Sequence, residues 1–83
     1  MNDAETKSFI ISCIGRGHGH PLPFSTIAAA VRLAFPHQPP SDAETKTVIR
    51  ELEQDSYVSG RTDDLLGEIW LLTPKGISRA QQL

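Results

Sequence analysis

The periodicity of apolar residues changes at Asp55-Ser56, and that change limits the folds open to this chain. Before it, apolar side chains recur every three to four positions, the spacing of helices that bury one face. After it, Tyr57 to Arg61 and Glu68 to Leu72 are short runs rich in aromatic, β-branched and aliphatic residues, the signature of strands. A chain of 83 residues has room for one core, so both regimes must share it, and the fold class is α+β in a single domain over residues 1–83.

Local signals set the boundaries. Phe9, Ile10, Cys13 and Ile14 predict a first helix over about Asp3 to Gly15, with Asp3 and Glu5 at the end where the helix dipole favours acids. The run Gly15-Arg16-Gly17-His18-Gly19-His20-Pro21-Leu22-Pro23 cannot continue a helix and reads as a loop. Ile27, Ala28, Val31, Ala34 and Phe35 trace a second helix, capped near Ser25 or Thr26 and stopped by Pro36. Ser41 and Glu44 have the spacing of a capping box and open a third, with Thr45, Val48, Ile49 and Leu52 inward and an end near Asp55-Ser56. Thr62 to Gly67 is a polar turn that makes the two strands a hairpin. Thr73 before Pro74 caps a short last helix with Ile77, Ala80 and Leu83 inward.

Two segments are more specific than this order. Leu52-Glu53-Gln54-Asp55-Ser56-Tyr57-Val58 carries the third helix into the hairpin, and Leu72-Thr73-Pro74-Lys75-Gly76 leaves it. They resemble the leucine-acid-x-x-small-tyrosine-aliphatic join and the leucine-threonine-x-lysine-glycine ending of winged helix-turn-helix regulators of the MarR and PadR type. The resemblance covers about residues 41–80. It implies a winged helix: a three-helix bundle, a two-stranded wing and a short C-terminal helix, with the third helix in the DNA major groove. The Gly-His-Gly-His loop matches no family motif, and the ligand pocket and dimer mode of MarR-type proteins are not carried over.

Projected at 100° per residue, the outer face of the third helix holds Ala43, Thr47, Arg50 and Gln54, bordered by Lys46 and Glu51. Asp42, Glu44, Glu53 and Asp55 fall on its flanks. Hydroxyl, amide and guanidinium side chains are the types that meet base edges, so Thr47, Arg50 and Gln54 are expected toward bases, with Lys46 and Arg61 toward phosphates. Any amphipathic surface helix also shows such residues outward, and it is the winged-helix context that favours function. Arg61 is the hairpin's one cation, and Asp63 and Asp64 at its tip would repel a phosphate. Lys7, Arg16, Arg32, Lys75 and Arg79 are scattered and read as solvated surface charges.

Other readings are weaker. A net charge of −2 and a pI near 5.8 weigh against a nucleic-acid binder and support the rival, a winged helix used for protein contacts. Ile69-Trp70-Leu71-Leu72 is apolar at successive positions, so the last helix or a second copy should cover the hairpin's outer face, and a homodimer would suit a palindromic operator. His18, His20 and His37 lack the cysteines or carboxylates that would complete a metal site, so no metal or other cofactor is expected. Cys13, the one cysteine, reads as a small core thiol. No nucleophile, base and orienting group lie in a motif, so the chain is not expected to be an enzyme. No apolar run approaches the roughly 20 residues of a membrane helix, and the acidic start is unlike a secretory signal, so a cytoplasmic protein is expected. The expectation is a DNA-binding transcriptional regulator of minimal size, of the kind a phage or mobile element encodes, with double-stranded DNA as partner.

Overall fold

A computed structural model describes residues 3–17 and 19–83. Helix α1 (Asp3–Gly15) leads through the glycine-rich loop into a two-residue strand, β1 (Leu22–Pro23). Then come α2 (Phe24–Ala34), α3 (Asp42–Gln54), the hairpin strands β2 (Val58–Asp63) and β3 (Gly67–Leu72), and α4 (Pro74–Gln82). The sheet is antiparallel in the order β1-β3-β2, with Leu22 opposite Trp70 and Gly60 opposite Trp70 from the other side.

Strand β1 corrects the expectation of a plain loop. It has no sequence period of its own because pairing with Ile69 and Trp70, remote in the chain, is what makes it a strand. It also bears on the hairpin's second apolar face, at Ile69. Trp70 joins the helical core, 3% exposed, while Ile69 on the opposite face is flanked by Pro23 and Arg61 and is buried as well. No second copy is needed to bury Ile69.

The core is Ile10, Ile11, Ile14, Ile27, Val31, Val48, Ile49, Leu52, Val58 and Trp70. Burying each large aliphatic side chain contributes roughly 1.5–3 kcal/mol. Helix α1 is buried over a broader arc than its predicted stripe, since Thr6 and Ile11 are buried with Ile10 and Ile14. Cys13 is half-buried at the edge of that arc instead of in the core, and burial still pushes its thiol above the ordinary range against the opposing pull of Arg16. Phe9 is half-buried and meets Phe35 edge-on, ring centroids 6.0 Å apart.

Three predicted helix details change. Helix α2 begins at Phe24, straight from the extended Pro23, with no side-chain cap from Ser25 or Thr26. Its Ala34 is exposed and Phe35 is the residue after it. In α4 the packed residues are Gly76 and, partly, Ala80, whereas Ile77 and Leu83 are about half exposed.

The ladder extends to Asp63 opposite Gly67, which shortens the expected turn to residues 64–66 and closes it on Gly67 at φ +76°. Asp63 builds this turn: its Oδ1 accepts from the backbone N–H of Leu66 (3.0 Å) and Leu65 (2.8 Å), and these two bonds hold its carboxyl below the usual range. A depressed folded-state pKa means that the turn gains stability above the unfolded value and loses it as pH falls through the folded one. Asp63→Ala should therefore speed amide exchange at Leu65 and Leu66, and Asp63→Asn should preserve their protection and abolish its acid sensitivity. Unchanged exchange in the alanine variant would remove this role.

Candidate nucleic-acid interface

The orientation of α3 is set at both ends. At the N-terminus the predicted capping box is present: Ser41 Oγ accepts from Glu44 N–H (3.1 Å) and Glu44 Oε1 accepts from Ser41 N–H (3.2 Å). At the C-terminus Tyr57 N–H donates to Leu52 O (2.9 Å) and Ser56 N–H to Glu53 O (3.0 Å), with Ser56 at φ +67°. This is a Schellman termination in which serine takes the place that glycine most often fills.

The two segments that carried the family resemblance meet at that end. Thr73 N–H donates to Tyr57 O (3.0 Å), and the Thr73 hydroxyl donates to Ser56 O while accepting from Gly76 N–H. Lys75 Nζ donates to Asp55 O (2.8 Å) and lies 4.5 Å from the Tyr57 ring centroid. Lys75 is thus a cation placed at the carbonyl end of α3, where the helix dipole favours one, and not a free surface charge. Two motifs about twenty residues apart are the two halves of one junction, which fixes the hairpin against α3.

The outward face of α3 agrees with the projection. Ala43, Thr47, Arg50 and Gln54 are exposed, while Thr45, Val48, Ile49 and Leu52 are buried. Thr47 Oγ1 donates to Ala43 O (3.0 Å), so its hydroxyl oxygen and methyl group are what it can offer a ligand.

Lys46 differs from the expectation of a ready phosphate contact. Its Nζ pairs with Glu68 Oε2 on β3 (2.8 Å) and sits 5.0 Å from the Phe24 ring centroid, so it ties α3 to the hairpin. Arg61 is exposed on β2. Arg50 and Arg61 line one cleft of about 310 Å³ between α3 and the hairpin, together with Glu53, Gly60, Glu68 and Trp70. Neither arginine forms an ion pair among the described residues, so both guanidinium groups are available. Sequence reasoning placed these two residues separately, and only the hairpin's return beside α3 brings them together.

Three acids around α3 are balanced by cations, and two more serve the cap and the turn, where they keep their charge. Asp42 pairs with Arg32 (2.6 Å), Glu51 with Lys7 (3.1 Å) and Glu68 with Lys46, while Glu44 serves the cap and Asp63 the turn. Lys7 and Arg32 thereby have partners, and Arg32 remains exposed at the surface as expected. Glu53, Asp55 and Asp64 stay exposed. Of the loop histidines, His20 and His37 are exposed, and His18 lies outside the described residues. No helix of the described residues is long and apolar enough to cross a membrane.

Three helices, a small antiparallel sheet whose hairpin stands beside the third helix, and a closing helix define a winged-helix fold. The crystal structure of SSV1 F-93 is similar over 93% of this chain and 79% of that one, with a TM-score of 0.73 and 18% sequence identity. At that identity the likeness is one of fold. No protein-family model and no curated protein matches the sequence.

Proposed function

We propose that this protein binds double-stranded DNA as a small transcriptional regulator, with α3 in the major groove. The observation that carries the reading is the exposed row Thr47, Arg50 and Gln54 on the helix that a winged helix presents to DNA, with Arg50 and Arg61 both without an ion pair among the described residues. Arg50 is the central contact, since a guanidinium can bond guanine through two parallel N–H donors. Gln54 suits adenine, and Thr47 offers an acceptor and a methyl group. Arg61, across the cleft from Arg50, takes a backbone phosphate. Lys46 contributes mainly by holding the hairpin to α3 through Glu68, and only secondarily as a phosphate contact.

The test is fluorescence anisotropy with a duplex of mixed sequence, followed by selection of a preferred site, at low and moderate salt. Affinity should fall steeply with salt, and Arg61→Gln should make that dependence shallower by about one phosphate contact. Arg50→Ala should weaken binding to the selected site by about 1–3 kcal/mol, a loss of roughly 5- to 150-fold, while leaving the unfolding midpoint unchanged. Absence of binding at low salt would overturn the proposal and favour a protein-contact role.

A further inference from the structure

A second cavity, of about 710 Å³, lies on the side of the molecule formed by the end of α1, the glycine-rich loop, β3 and α4. Its volume is within the range of small-molecule sites, which run from about 300 to 1,000 Å³. Leu71, Leu72, Ile77 and Ala80 supply apolar lining, and Arg16 and His20 supply its basic groups. None of its lining residues is an aspartate or glutamate. Arg16 forms no ion pair among the described residues.

The loop that carries the two basic residues is held by its own backbone, with Gly17 N–H on Ile14 O and His20 N–H on Gly17 O, both at 3.0 Å. Ile77 is 48% exposed on α4, a large apolar side chain without full cover. The carbonyl end of α1 opposes an anion here with about half an elementary charge, and the full charge of Arg16 outweighs it.

From this combination we infer that the cavity binds a small amphiphilic anion, a single carboxylate on an aliphatic chain, with the carboxylate on Arg16 and His20 and the chain against Leu71, Leu72 and Ile77. A neutral amphiphile would forgo the charge-assisted bonds, and an anion without a chain would forgo the apolar lining. The inference does not depend on whether α3 binds DNA.

The probes are octanoate, 1-octanol and acetate, titrated into the ¹⁵N-labelled protein and followed by amide chemical shifts. Octanoate should shift Arg16, His20, Leu71 and Ile77 and should bind at least about tenfold tighter than 1-octanol, the ratio one charge-assisted contact supplies, and at least about tenfold tighter than acetate, which lacks the chain. Arg16→Gln should remove most of that preference and leave 1-octanol binding within about twofold, whereas Ile77→Ser should weaken both chain-bearing probes. Equal binding of octanoate and 1-octanol would overturn the inference, as would shifts centred elsewhere on the molecule. Sedimentation showing a dimer that Ile77→Ser abolishes would also overturn it, by assigning the cavity to a second copy.

Discussion

Gly76→Ala should lower the stability of this domain by about 2–3 kcal/mol, although the substitution replaces a poor helix former with the best one. Gly76 lies in the first turn of α4 with its Cα against the hairpin junction. A Cβ there would overlap the Tyr57 carbonyl oxygen and stand 3.1 Å from Leu72 Cδ2. Backbone cannot swing aside as a side chain can, and the same Tyr57 carbonyl accepts from Thr73 N–H. Helix propensity returns about 1 kcal/mol at most, so sterics decide the sign. Urea denaturation followed by far-UV circular dichroism measures the effect, with exposed Ser78→Ala as a control expected to stay within about 0.5 kcal/mol. A Gly76→Ala protein as stable as the parent would mean that α4 is not seated on Tyr57.

The same junction shows what was legible in the sequence. Leu72-Thr73-Pro74-Lys75-Gly76 and Leu52 to Val58 marked a boundary correctly, but a motif states spacing and not contact. That Thr73 reaches Ser56 and Lys75 reaches Asp55 follows only from the hairpin returning beside α3. Signals that act within four residues were readable: the Ser41 and Glu44 box, the Thr73 and Pro74 start, and the limits of α1. Features that depend on distant partners were not. Strand β1 exists because of Trp70 and Ile69, and Ser56 adopts a left-handed conformation without the glycine that would have announced it. In α4 the pattern identifies Ala80 but misses Gly76, which packs most closely and has no side chain to count as apolar.

The candidate site divides in the same way. The outward face of α3 follows from helical geometry alone, which places Thr47, Arg50 and Gln54 on it, and all three are exposed. Lys46 lies on the border of that face, and a border residue is decided by what stands next to it. Here that neighbour is Glu68, 22 residues away in the chain.

Gly60→Ala should also cost about 2–3 kcal/mol, and its partner can be named in advance. Gly60 is paired with Trp70, and an added Cβ would stand 2.5 to 2.8 Å from three atoms of the indole six-membered ring. Alanine would otherwise stabilise a strand interior by about 0.5–1 kcal/mol relative to glycine, so the steric term again sets the sign. Trp70 is 3% exposed within the core, so its ring has little room to yield, and the hairpin must move from α3 or the core must repack.

Trp70→Phe removes the outer part of that ring and also removes Nε1, a buried donor without a hydrogen-bond partner among the described residues. It therefore loses apolar burial but no hydrogen bond. Combined with Gly60→Ala it should recover more than about 1 kcal/mol relative to the sum of the single effects, because phenylalanine vacates the space that the new methyl group needs. The cycle is read by circular dichroism in urea, since Trp70 is the protein's one tryptophan and cannot report on its own replacement. Additive single effects would mean that the indole does not rest on Gly60, and the account of why a glycine stands in the middle of β2 would fail with it.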